Sequence, residues 1–179
     1  VRVTYRTQHH SYEREAFVSY PAQVGVLRIK CLTGNGVSFV LRLSRPERAS
    51  TRYEGNDLVL SGQLDAGQPG ADVVRFEGRA RIRTIGGRVQ VHDDRIEVTG
   101  AREAVVLFSA GTSMVDPDFR ATAKYRLDLA GVRPYSDLRH EHIDNHRSLY
   151  DRCSLDLPRG SKARVSTPER LAAAAQGED

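Results

Sequence analysis

Three pairs of carboxylates lie close together in the sequence and could supply acid–base chemistry. They are Glu13 with Glu15, Asp93 with Asp94, and Asp116 with Asp118. Two carboxyl groups can hydrolyse a bond when one is kept protonated as a general acid and the other ionised as a general base. Each pair also has a plainer interpretation: arginine pairing on one strand face for the glutamates, a turn for residues 93–94, and a helix cap for Asp118. We therefore predict no catalytic residue.

Three histidines, His140, His142 and His146, are the best candidates for metal ligands. On a helix, His142 and His146 stand at positions i and i+4, a spacing from which two imidazoles can share one zinc ion. The H-E-x-x-H pattern of zinc enzymes would place a glutamate at position 143, where this sequence has Ile143. We therefore predict histidines that face the core and hydrogen-bond to the neighbouring sheet, no metal and no cofactor. A ligand-binding site is left open.

The two cysteines, Cys31 and Cys153, lie far from any C-x-x-C spacing, the first in a predicted strand and the second in a predicted helix. Two idle thiols are expected rather than zinc ligands, and a disulfide between them stays open. No G-x-S-x-G, P-loop or G-x-G-x-x-G pattern occurs in the sequence.

The distribution of charge argues against a nucleic-acid partner. The chain has 24 arginines and three lysines, interleaved with 23 acidic residues, and a net charge of +4. Phosphate binding requires basic side chains clustered on one surface, and these are spread along the chain. No apolar run approaches the roughly 20 residues of a membrane-spanning helix, and no signal-peptide pattern opens the sequence. We predict neither a nucleic-acid nor a membrane partner.

The first 111 residues predict short antiparallel strands, because β-branched and aromatic residues alternate with polar ones between Gly, Pro and Asn. Val37, Phe39, Leu41 and Leu43 would share one face of a strand, with Ser38, Arg42 and Ser44 on the other. Residues 104–110 (AVVLFSA) are apolar without alternation. A run of this length predicts a strand covered on both faces.

Residues 74–98 predict a three-stranded meander with two-residue turns at Gly86-Gly87 and Asp93-Asp94. The first turn would place Ile82 opposite Val91, and the second would place Val91 opposite Ile96. The other opposed pairs are Ile85 with Arg88, Thr84 with Val89, His92 with Arg95, and Val89 with Val98. Both turns give the same core face, and a shift of one residue would bury the arginines instead.

The opposite face of this meander would carry a row of arginines, with one histidine nearby. Its residues are Arg75, Arg79, Arg81, Arg83, Arg95 and His92. Such a row could bind an anionic sugar or the acidic surface of a partner protein. We interpret it as a solvated outer face.

After residue 112 the period changes to that of helices. Asp118 would cap a helix over residues 119–130 that ends at Gly131, and a longer helix would follow Pro134 over residues 136–153. On that second helix Leu138, His142, His146, Leu149 and Cys153 form one stripe that needs a partner. After a loop at residues 158–161, Thr167 and Pro168 predict the start of a third helix.

Five ordered segments resemble glycoside hydrolase family 95, the inverting α-L-fucosidases and α-L-galactosidases. Residues 12–24 (YEREAFVSYPAQV) are similar to the family's Y-x-R-E-x-F-x-S-x-P-x-x-V run. The other four are residues 100–104 with Thr112-Ser113, Asp116-Pro117, residues 135–157, and residues 167–171. Residues 135–157 resemble the family's linker helix. The resemblance covers almost the whole chain in the family's order.

The resemblance implies a super-sandwich of antiparallel sheets, incomplete at its N-terminal side, and then two to three linker helices that lead into an (α/α)6 barrel. The barrel would hold the active site, and this chain would stop before it, so the family's general acid and base have no counterparts here. We expect a β-sandwich domain over residues 1–115 and a helical linker over residues 116–179. The cellular location is left unknown, and a secreted or periplasmic full-length protein is compatible with the resemblance.

We expect the chain to be a non-catalytic N-terminal domain of a hydrolase of terminal α-L-fucosyl or related residues. Its role would be structural: it would pack on the barrel of its own full-length protein and orient it, and carbohydrate would bind through that barrel. The alternative is a stand-alone carbohydrate-binding β-sandwich. Aromatic residues make up only 7% of the chain and Trp is absent, which disfavours the exposed aromatic platforms of such modules.

Overall fold

The computed structural model describes residues 1–64, 73–156 and 164–177. Within these ranges the protein is mainly β, with antiparallel sheets followed by three helices, which confirms the predicted fold class. The loop predicted at residues 158–161, the last position of the linker-helix motif at residue 157, and residues 178–179 lie outside the described residues.

Seven strands form the larger sheet, and all neighbours in it are antiparallel. In spatial order they are β1 (Arg2–Arg6), β2 (Ser11–Ser19), β3 (Val24–Thr33), β10 (Glu103–Thr112), β7 (Arg75–Ile85), β6 (Asp57–Gln63) and β5 (Ala49–Glu54). The central strand β10 carries the apolar run noted in the sequence. Its residues 104–107 are all buried, as predicted for a strand covered on both faces. The prediction fails for the rest of the run, since Phe108 is 41% exposed and Ala110 is exposed.

Three further strands form a smaller sheet, in the order β4 (Val37–Leu41), β9 (Ile96–Ala101) and β8 (Arg88–Val91). Its inner face packs on the larger sheet, and Val37, Val98 and Ala101 share one apolar cluster with Ile29 and Ala104. The alternation predicted for β4 is confirmed for Val37 and Phe39, which face this cluster. The strand is shorter than predicted, because it ends at Leu41 and Leu43 lies beyond it. The two sheets therefore form a β-sandwich.

The predicted meander is half correct. The Asp93-Asp94 turn pairs β8 with β9 in the predicted register, with Val91 opposite Ile96. The pairing predicted across Gly86-Gly87 is wrong, because β7 lies between β6 and β10 and does not pair with β8. β10 pairs with β7 over ten residue positions, whereas β8 is only four residues long. The longer apolar strand therefore takes the edge of β7, and the glycine turn carries the chain into the other sheet.

This crossing changes the environment of the β8 valines. Val89 and Val91 were predicted to lie in the core, yet they are 42% and 44% exposed at the free edge of the smaller sheet. The turn itself has the predicted glycine geometry, with φ of +70° at Gly86 and +74° at Gly87. A β-carbon on Gly87 would come within 2.6 Å of the backbone of β9, at Thr99 and Ala101, so this position requires glycine.

The helices lie close to their predicted positions: α1 (Phe119–Gly131), α2 (Tyr135–Tyr150) and α3 (Thr167–Ala175). The helix over residues 136–153 is therefore shorter than predicted, and Cys153 lies beyond its end. Both cysteines have free thiols, Cys31 buried in β3 and Cys153 exposed.

The details of the caps differ from the predictions. Asp118 stands at the N-cap of α1 without a side-chain hydrogen bond, and its own amide donates to the Asp116 carboxylate. Gly131 is the last residue of α1 with an ordinary φ; its missing side chain leaves room for Arg81, whose Nη1 would lie 3.0 Å from a β-carbon. In α3 the cap is Ser166 rather than Thr167, since Ser166 and Glu169 form a capping box.

α1 and the first half of α2 cover the face of the larger sheet that points away from the smaller sheet. Leu127 and Ala130 of α1 and Leu138 of α2 have no exposed surface, and they pack on apolar residues of β3 and β10. The contact buries apolar side chains from both layers, which is the main source of its stability.

The chain divides into two compact units, Val1–His146 and Arg147–Asp179. The stripe predicted on α2 is buried at the start of the helix and exposed near its end. Leu138 is fully buried, whereas Leu149 is 61% exposed. Strands give way to helices between Thr112 and Phe119, and the boundary at residue 115 stays a prediction. No helix in the described part of the chain is long and apolar enough to span a membrane.

Candidate functional site

The first carboxylate pair, Glu13 and Glu15, forms ion pairs on the helix-facing side of β2. Glu13 is buried and accepts hydrogen bonds from Arg2, with Arg28 3.6 Å away. Glu15 accepts from the Tyr135 hydroxyl at 2.6 Å and from Arg139 Nε at 2.7 Å. The prediction that these glutamates pair with arginines is confirmed.

The surroundings of Glu15 do not favour general acid catalysis by this side chain. Burial alone would raise the pKa of Glu15, but the hydrogen bonds from Tyr135 and Arg139 outweigh that effect and hold the pKa below its usual range. A general acid near neutral pH needs a raised pKa, which is the opposite shift.

The two aspartate pairs serve turns and caps. Asp93 and Asp94 are exposed in the tight turn closed by the His92 amide and the Arg95 carbonyl, and Asp94 accepts a hydrogen bond from Arg95 at 3.0 Å. Asp116 accepts from the Asp118 amide at 2.8 Å and from the Thr122 hydroxyl at 2.6 Å. The hydroxyl hydrogen bond lowers the pKa of Asp116, which fits an ionised cap.

The histidines of α2 differ from the prediction that they hydrogen-bond to the sheet from the core. His142 stacks on Phe17 of β2, with ring centroids 4.8 Å apart and planes 20° from parallel. His140 pairs with Asp144 at 3.1 Å on the outer side, and His146 is exposed. Burial lowers the pKa of His142. Within the described residues no three His, Cys, Asp or Glu side chains come close enough to hold a metal ion.

The row of arginines on β7 was predicted to be solvated, and that prediction is wrong. Arg79 is only 4% exposed, because α1 covers this face of the sheet and acidic side chains neutralise the row. Arg81 donates to both carboxylate oxygens of Asp57, at 2.6 and 3.1 Å, and to Asp128 of α1 at 2.7 Å. Only Arg75 at the strand end is exposed as expected. Alternation correctly placed the four arginines of β7 on one face but could not show what covers it. Arg95 and His92, predicted beside this row, lie instead at the turn between β8 and β9 of the smaller sheet.

Arg83, the last arginine of this row, holds the end of α1. Its Nη1 donates to the carbonyl oxygens of Gly131 at 2.8 Å and Arg133 at 2.6 Å. The last carbonyls of a helix lack partners within the helix, and a cation there also complements the helix dipole. Burial lowers the pKa of Arg83.

The most distinctive arrangement on this face is a polar clamp formed by Glu15, Tyr135, Arg139 and Arg28. Glu15 lies between the hydroxyl of Tyr135 and the guanidinium of Arg139, both on α2. The Arg28 guanidinium lies 4.7 Å above the Tyr135 ring and also donates to Glu103 at 2.8 Å. Burial and the Glu15 carboxylate raise the pKa of Tyr135. The clamp fixes both the position and the rotation of α2 on the sheet.

Sequence reasoning did not identify this clamp. Tyr135, Arg139 and His142 stand at i, i+4 and i+7, so one face of α2 was visibly polar and aromatic. Glu15 and Phe17 alternate on one face of β2 in the same way. Local patterns could not show that these two faces are in contact, because more than a hundred residues separate them in the sequence.

Comparison with known proteins identifies the sandwich. The family model described as glycosyl hydrolase family 65, N-terminal domain, matches residues 1–117. No curated protein matches the chain. The matched range ends at Pro117, so it holds all ten strands of the described residues, and α1 begins at Phe119.

Proposed function

The chain belongs to the glycosyl hydrolase family 65 N-terminal domain family, and from that membership we propose that it is the non-catalytic N-terminal domain of a larger glycoside hydrolase. The parent enzyme would be of the family 95 type and would cleave terminal α-L-fucosyl or related residues. The run over residues 12–24 and the ordered segments after it support that narrower assignment.

The role of the domain is to hold and orient a catalytic barrel. The observation that carries this proposal is the clamp of Glu15 with Tyr135 and Arg139. A helix that only joined two domains would need no such rotational constraint. A helix that transmits the orientation of one domain to the next needs its start to be rigid, and α2 begins at the clamp.

The test uses the full-length reading frame that contains this chain. We expect the full-length protein to hydrolyse a chromogenic α-L-fucoside faster than the matching α-glucoside, and the 179-residue chain alone to leave both intact. Turnover of either substrate by the chain alone would contradict the non-catalytic role. A full-length protein that cleaves the glucoside and not the fucoside would contradict the fucosyl assignment and leave the domain role standing.

A further inference from the structure

A groove of about 440 Å³ opens at one end of the sandwich, between residues 31–36 at the end of β3 and its turn into β4, and residues 100–102 at the end of β9 and its turn into β10. It lies in the sandwich, whereas the polar clamp joins the opposite face of the larger sheet to α2. No residue that lines the groove belongs to that clamp.

Direct backbone packing holds the two turns in place. A β-carbon on Gly36 would lie 2.6 Å from the carbonyl of Gly100, so the turns touch through their main chains. The Gly100 amide donates to the Ser38 hydroxyl at 3.0 Å, which ties the second turn to β4. On the far side of Gly34, the His10 ring fills the space that a β-carbon would occupy. The walls of the groove are therefore set before any ligand arrives.

Among the described residues, two polar side chains that line the groove, those of Arg102 and Asn35, have no partner, whereas the Thr33 hydroxyl is paired with Ser11. Several arginines of the sandwich are neutralised, for example Arg28 by Glu103 and Arg81 by Asp57. Within the described part of the chain, the side chains of Arg102 and Asn35 make no hydrogen bond or ion pair. Both line the groove, and no carboxylate does. A guanidinium is a fork of donors that matches a carboxylate in a bidentate manner.

The remaining lining favours a sugar ring beside that carboxylate. Leu32 is 45% exposed and offers an apolar surface to ring carbons. The Asn35 carboxamide can donate and accept, as hydroxyl groups require, and the glycines leave main-chain groups accessible. The groove thus combines one cation, one amide and one apolar patch, which is the composition of a small-ligand site with few convergent polar groups.

The geometry points to a binding site for a sugar acid in this groove, with the carboxylate of a uronate held by Arg102 and its hydroxyls by Asn35. This site goes beyond the orienting role proposed above and does not depend on it. It needs no catalytic chemistry, since the ligand would be bound and released unchanged.

The test is a titration of the ¹⁵N-labelled 179-residue chain with glucuronate, followed by chemical shifts. We expect saturable shifts confined to the two turns, with a dissociation constant of a few mM or lower, roughly the range of small polar ligands. Glucose, which has the ring without the carboxylate, and acetate, which has the carboxylate without the ring, should each bind about tenfold more weakly or not at all.

The variant Arg102→Gln should weaken glucuronate binding about tenfold or more, because it removes a charged hydrogen-bond donor. Arg88→Gln is the matched control: Arg88 is exposed on β8 and makes no hydrogen bond or ion pair within the described residues, so this variant should bind as the wild type does. No saturable shift with glucuronate, or equal affinity for glucose, would overturn the proposal. Unchanged affinity in a folded Arg102→Gln protein would do the same.

Discussion

The hydroxyl of Tyr135 lies 2.6 Å from the carboxylate of Glu15, although 120 residues separate them in the sequence. The hydrogen bond joins the first turn of α2 to β2, the strand next to the edge strand of the larger sheet. Arg139 binds the other oxygen of the same carboxylate at 2.7 Å. One side chain on the sheet therefore sets the position of the helix at two successive turns.

Glu15→Gln should destabilise the protein by about 1–3 kcal/mol, because it removes the charge that both donors on α2 bind. Tyr135→Phe removes one neutral donor and leaves the ion pair with Arg139, so it should cost less, about 1 kcal/mol. Urea unfolding measures both. Glu47→Gln, at an exposed position in the loop before β5, is the control and should change stability by less than about 0.5 kcal/mol. Equal stability of all three variants would show that the clamp contributes nothing.

The Glu15 contribution should depend on pH in a known direction. The pKa of Glu15 in the folded protein lies below the value of 4.5 for an unperturbed glutamate. Its stabilising effect is therefore fully present above pH 4.5 and is lost as the pH falls through the folded pKa. The stability difference between wild type and Glu15→Gln should accordingly shrink from pH 6 to pH 3. A difference that grows towards acid pH would mean that burial, rather than the two donors, decides the pKa of this carboxylate.

Arg83 should matter through the end of α1. Arg83→Met leaves the carbonyls of Gly131 and Arg133 without their donor, and we expect a loss of about 1–3 kcal/mol. Arg83→Lys keeps a cation and should recover part of that loss. Thermal unfolding followed by circular dichroism measures the series, and Arg88→Met on the exposed edge strand serves as its control. If Arg83→Met and Arg88→Met unfold at the same temperature, Arg83 does not cap the helix.

The two glycines of the turn after β7 should respond differently to the same change. Gly86 and Gly87 both have positive φ, but a β-carbon on Gly86 meets nothing within 4 Å, whereas one on Gly87 lies 2.5 Å from the Ala101 amide. Gly86→Ala should cost roughly 1–2 kcal/mol of backbone strain. Gly87→Ala adds a clash with main-chain atoms and should cost clearly more. Similar unfolding midpoints for the two variants would contradict the close contact of Gly87 with β9, at the point where the chain passes from the larger sheet to the smaller one.

Much of the sandwich could be predicted from local patterns, because alternation and turn residues act over a few positions. The apolar run of β10 predicted a strand covered on both faces, which holds for residues 104–107, and the Asp93-Asp94 turn predicted the register of β8 with β9. The partner of β7 could not be predicted, since it depends on competition between β8 and β10, which lie on either side of β9 in the chain.

The polar side of the larger sheet was the least predictable part. A row of arginines is equally consistent with a solvated surface and with a face covered by a helix that brings its own carboxylates. Asp57 and Asp128, which neutralise Arg81, come from β6 and α1. No local pattern links the three segments. The clamp could not be predicted for the same reason. Glu15 lies on β2, and the helix that it contacts, α2, begins more than a hundred residues later.

The central claim, that this domain orients a catalytic barrel through α2, is tested most directly by measuring kcat/KM of the full-length enzyme on a chromogenic α-L-fucoside. We predict that Glu15→Gln lowers kcat/KM at a temperature where the protein is still folded, while Glu47→Gln leaves it unchanged. Wild-type kcat/KM in the Glu15→Gln enzyme, together with a loosened α2 seen by hydrogen exchange, would contradict the claim.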